Sequence, residues 1–129
     1  MSITQAVCTS FKQELLVGTH NFTATSGDTF KIALYTSSAS LDASTTAFST
    51  SNEVSNSGTY SSGGGTLTSV TPVASSTTAV CDFSDVSYSS ASFTANGALI
   101  YNSSASNVAV CAIAFGSNKT ATNGTFTIQ

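Results

Sequence analysis

His20 is the one histidine of the chain, and imidazole is the usual general base for activating a serine hydroxyl. A triad needs nucleophile, base and orienting carboxylate in one place. Serine is so abundant here that some Ser near His20 carries little information. Its position just after Gly18 argues for a local role, the ring bonding carbonyls left open at a helix end or nearby loop atoms. Hydrolase chemistry, with Ser and Asp close to His20, stands as a third reading. Asp82 and Asp85 are the closest carboxylates in sequence. Calcium takes about six to eight oxygens, commonly from a Gly-bearing loop, and two aspartates alone fall short. One Asp at a strand end and one setting a turn, each accepting from backbone amides, is the plainer expectation.

The glycine run 63–65 lacks the Lys-Ser or Lys-Thr of a phosphate loop and opens no helix, so it reads as a turn. Asn21, Asn102, Asn118 and Asn123 each begin an Asn-x-Ser/Thr triplet, a number that chance supplies in so hydroxyl-rich a chain. Surface Ser, Thr, Asn and Tyr can bind sugars or a partner through adaptable hydrogen bonds. Cys8, Cys81 and Cys111 are odd in number and sit within apolar patterns, as reduced, buried thiols do. A Cys81–Cys111 disulfide requires that their strands pair. No residue set for a cofactor or metal emerges.

These residues are scattered over a chain that is 7% charged and 40% hydrophobic, with net charge −3. An ordinary soluble domain carries about 25% charged residues. A chain this neutral is suited to being covered by neighbours. Duplex DNA binding scales by about −0.9 in log-log salt slope per neutralised phosphate, and Lys12, Lys31 and Lys119 are too few for it. Nucleic acid is not an expected partner. The longest apolar run, 108–115, suits a strand and is far short of the roughly 20 residues of a membrane helix. The first eighteen residues lack the basic region and apolar core of a signal peptide, so a cytoplasmic site of synthesis and no membrane are expected.

The elements that position these residues follow from periodicity. Ser2 and Gln5 have capping-box spacing, Ile3, Val7, Phe11 and Leu15 recur every four residues, and Gly18 follows, which predicts an N-terminal helix over 1–18. A helix of that length is marginal alone and must dock its stripe. From Asp28 the period becomes two, with Phe30, Ile32 and Leu34 opposite Lys31, Ala33 and Tyr35. Residues 37–65 read as long ordered loops pinned at Leu41, Phe48, Val54 and Tyr60. Strands are expected at 65–71, 77–83, 92–101, 108–115 and 124–129, with 108–115 in the middle of the core. Asn96-Gly97 supports a hairpin or a glycine inside one continuous strand, and the continuous strand is favoured because each hairpin arm would be short.

Residues 11–22 leading into 28–36, then 52–67, then Ala98-Leu-Ile-Tyr-Asn102 with 108–116 and 124–128, resemble a widespread group of small, mostly uncharacterised structural proteins of tailed bacteriophages. The resemblance implies a virion component, and carries over no catalytic residues. This chain departs from it in having Asn96-Gly97 where relatives often carry an Arg-Tyr-like pair, and in lacking Trp.

The expected fold is mainly β: one domain over 1–129, a β-sandwich or sandwich-like barrel of about six to eight strands with one N-terminal helix, the β domain spanning 28–129. The expected role is non-enzymatic, a capsid decoration or cement protein in the virion, contacting the major capsid protein or other virion proteins. Alternatives are a tail or neck component, or a receptor- or glycan-binding module. Self-association as a dimer or trimer is expected through the helix or the 37–65 loops. Phe11, Phe48 and Tyr60 are candidate interface anchors, each equally compatible with ordinary core packing.

Overall fold

The structure, a computed structural model, describes residues 2–129. Along the chain run β1 (Ala6–Val7), α1 (Thr9–Leu16), β2 (Phe30–Tyr35), β3 (Gly65–Thr66), β4 (Ser69–Ser75), β5 (Thr78–Phe83), β6 (Val86–Asn102) and β7 (Val108–Ile128). Strands take 52% of the residues in a sandwich-like arrangement, as the short periodic runs predict. One antiparallel sheet has the order β1-β7-β6-β2-β3, and β4 pairs with β5 as a separate two-stranded sheet.

Period-two alternation gives β2 two buried faces. Ile32 lies opposite Ile100, which lies opposite Cys111; one step along, Ala33, Leu99 and Ala112 form the next row. Successive rows point to opposite faces, and Ile32, Ala33, Leu99 and Ala112 are all buried. The middle strand is therefore β6. The expectation that 108–115 is the middle is corrected, because only the two-residue β1 lies outside β7.

β6 runs straight through Asn96-Gly97, as the continuous-strand reading has it. A Cβ at Gly97 would lie 2.6 Å from the Ile113 carbonyl oxygen and 2.7 Å from Ile3 Cδ1, so the glycine admits close packing. The expected break between 108–115 and 124–129 is absent. Between the pairs Gly97–Ala114 and Ala95–Lys119, residues 115–118 of β7 oppose Asn96 alone, with Gly116 at φ +79°. Such a bulge bends a ribbon without ending it. The far half of the β6–β7 ribbon turns over the sheet, where the Tyr88 hydroxyl meets Ile32 and Gly65, and Phe126 packs with Phe93 and Phe115.

The N-terminal helix is half the expected length. Ala6 and Val7 pair with Ala112 and Cys111, Ile3 bridges to Leu41, and the Gln5 side chain accepts from the Ala114 amide. Fourfold spacing of β-branched Ile3 and Val7 fits a strand edge once a sheet offers backbone partners. Cys8 then caps α1 without a side-chain bond. Met1, included in the expected helix, lies outside the described residues.

Candidate interaction surface

The His20 side chain is fully enclosed. Its Nε2 is 2.9 Å from Glu14 Oε1 on α1, and its Nδ1 is 3.0 Å from Asn102 Nδ2 at the end of β6. Asn102 also donates to Asp28 Oδ2 at 2.8 Å and accepts from the Ser104 amide at 3.0 Å, which fixes its amide orientation. His20 Nδ1 must then accept, leaving Nε2–H to donate to Glu14. Both ring nitrogens are committed, and neither points at a serine. Phe11, Phe22 and Phe30 surround the ring, with Phe11 4.7 Å from it between centroids. The cluster fastens α1, the 18–29 loop and β6 together. The local reading is corrected: one partner, Glu14, is on the adjacent helix, but the other, Asn102, is at the far end of β6, and both are side chains rather than open carbonyls.

Among the described residues no cluster of metal-ligating side chains exists. Asp82 Oδ1 accepts from the Phe83 amide at the end of β5, and Asp85 lies between β5 and β6. The glycine run is a turn: Gly63 and Gly64 have φ of +95° and +81°. All three cysteines are free, with Cys81 exposed. Its strand pairs only with β4, so the strand pairing that a Cys81–Cys111 bridge requires is absent. Burial raises the Cys111 thiol to about 11, with the neighbouring Cys8 adding to it, and raises Cys8 as well.

The four tyrosines are all buried, and each hydroxyl pins a loop or backbone segment. Tyr35 donates to the Ser49 carbonyl, Tyr101 to the Gly63 carbonyl and Tyr88 to the Ile32 carbonyl. Tyr60 accepts from the Leu34 amide and donates to Glu53. Glu53 also accepts from Ser62 and the Gly63 amide. The 37–65 loops are thus ordered, and the expected pins Leu41, Val54 and Tyr60 are buried. Beside Tyr35 the loops enclose a cleft of about 410 Å³ lined chiefly by Ser, Thr, Ala and Asp42.

Of the candidate anchors, Phe11 is 8% exposed and Tyr60 is 0% exposed, and both pack within the core cluster. Phe48 is half-buried and stacks on Tyr101 at 4.6 Å. The apolar surface lies elsewhere. Leu15, Leu16 and Val17 are exposed at the end of α1, and Val70, Val73 and Val80 are exposed on the β4–β5 hairpin, whose strands are open along nearly their whole length. The expected strand 77–83 matches β5, but the expected 65–71 covers β3 and only the first three residues of β4, and the separation of the hairpin from the main sheet was not foreseen. The available signal was the lack of any large aromatic or Leu/Ile between Leu67 and Phe83, which gives this stretch little to bury.

No family model, curated protein or solved structure matches this chain.

Proposed function

We propose that this protein is a non-enzymatic structural component of a tailed-phage virion, foremost a capsid decoration or cement protein acting through protein–protein contacts. The observation that carries the reading is the β4–β5 hairpin, which holds three exposed valines away from the core of a chain that is only 7% charged. An apolar projection on a weakly charged protein favours permanent coverage by neighbours. The likeness of residues 11–22, 28–36, 52–67, 98–102, 108–116 and 124–128 to tailed-phage structural proteins suggests the virion context. The partner is then the major capsid protein or another virion protein.

Quantitative gel analysis of purified virions tests it. Copy number comparable with the major capsid protein is the expected result, a ring's worth of copies places the protein in the tail or neck, and absence from particles overturns the virion reading. The hydroxyl-lined cleft beside Tyr35 supports the second reading, a glycan-binding module. Binding of the isolated protein on a glycan array would favour it.

A further inference from the structure

The two outer edges of the β4–β5 hairpin differ. On β4, Pro72 offers no amide hydrogen, a bulge interrupts the register between Val70 and Val73, and Thr71 Oγ1 accepts from the Ala24 amide at 3.1 Å. Proline and bulges are the means by which sheets close an edge. On β5, residues 78–81 are Thr, Ala, Val and Cys, with no proline, glycine or charge, and among the described residues no strand pairs with them except β4. A two-stranded hairpin is marginal on its own in water, and this one lacks a third strand.

The direction of the open backbone groups follows from the turn. Ser75 pairs with Thr78 across the two residues Ser76 and Thr77, with Ser76 at φ +56°. A pair closing a two-residue turn exchanges hydrogen bonds, and alternation then directs the N–H and C=O of Ala79 and Cys81 outward.

We infer that the free edge of β5 is the self-association surface of this protein, and that its occupant is β5 of a second copy, paired antiparallel about a two-fold axis through Val80. In that register Ala79 exchanges backbone hydrogen bonds with Cys81 of the second copy, and the reverse, so every outward group of this stretch is satisfied. Val80 meets its own mate as a close, non-hydrogen-bonded pair. Because Val73 lies opposite Val80 within the hairpin, the pairing makes one stripe of four valines across a four-stranded sheet. The charges fit as well. Asp82 is the one charged residue of the hairpin, and this axis sets it opposite the hydroxyl donor of Thr78 in the second copy rather than opposite its own mate. Shifting the axis to Cys81 sets Asp82 against Val80 instead. The contact is two-fold and closed, so it yields dimers and not fibres. It requires nothing of the virion reading.

Analytical ultracentrifugation of the purified full chain should show a monomer–dimer equilibrium. Ala79→Pro removes an outward N–H without touching the β4 ladder and should weaken dimerisation by about ten- to a hundredfold, since the two-fold loses two hydrogen bonds. Ala74→Pro, on the closed edge, serves as the matched control and should leave dimerisation unchanged. Independently of these, Val80→Cys in a Cys81→Ser background should form a disulfide-linked dimer on mild oxidation, while Val73→Cys in the same background should not. A chain that stays monomeric up to its solubility limit overturns the inference, as does a trimer. A dimer that Ala79→Pro leaves intact, or that Val80→Cys does not cross-link, overturns the β5 edge as its surface.

Discussion

The Tyr60 hydroxyl donates to Glu53 Oε1 at 2.8 Å while accepting the Leu34 amide at 2.9 Å, so one phenol joins the edge of the loop region to the backbone of β2. Tyr60→Phe keeps the ring and deletes both bonds, leaving a buried Leu34 N–H without a partner. The expected cost is about 1–3 kcal/mol in urea unfolding, with an unchanged m-value.

Gly64 and Gly18 both sit at positive φ, +81° and +75°, but only Gly64 is hemmed in. A Cβ on Gly64 would lie 1.9 Å from the Ile32 carbonyl oxygen, whereas nothing lies within 4 Å of one on Gly18. Gly18→Ala should therefore cost about 1–2 kcal/mol for conformation alone. Gly64→Ala should cost clearly more, because the backbone of the central sheet must move; thermal unfolding of the two variants gives the comparison.

Phe11 packs on His20 and Phe22 inside the core, while Leu16, five residues on, is 89% exposed. Phe11→Ala should lose about 3–5 kcal/mol. Leu16→Ser should stay within about 0.5 kcal/mol of the parent. Equal effects from the two changes would mean that the end of α1 is covered by something in solution.

Alkaline pH should unfold this protein through its tyrosines. Burial raises Tyr35, Tyr60, Tyr88 and Tyr101 above the ordinary value of about 10, and Cys111 to about 11. Each folded value lies above its unfolded one, so the unfolded chain loses these protons first. Stability is then complete below about pH 8.5 and falls as pH rises through the thiol and phenol range. Phenolate absorbance should appear together with loss of the β-sheet circular dichroism signal, in one step. Separate, gradual phenol titration with the sheet intact would contradict this burial.

What could be read in advance was local. Phe30–Tyr35 announces itself by alternation, and Leu41, Val54 and Tyr60 are isolated apolar residues in polar surroundings that had to be pins. The helix was over-read because Ile3 and Val7 satisfy a helical spacing, and only the distant Cys111 and Leu41 decide otherwise. Residues 116–123 look like a turn, since Gly, Ser and Asn cluster there, yet they form the bulged middle of β7. The His20–Asn102–Asp28 cluster joins residues far apart in the chain, which no window on the sequence brings together. Val70 and Val80 were visible as strand residues and Val73 was not; that all three face solvent depends on where the rest of the core ends.

The long β6–β7 ribbon also sets an order of assembly. Its register begins at Asn102 opposite Val108 across a short connection and widens to Val86 opposite Ile128, so each new pair closes only a small additional loop. β1 and β2 reach the same ribbon from far upstream, at a much larger closure entropy. The expectation is that β7 zips with β6 first, and that β1 is fitted to the finished edge afterwards. Pulse-labelled hydrogen exchange should find the amides near Leu99 and Ala112 protected before those of β1, and the reverse order would refute it.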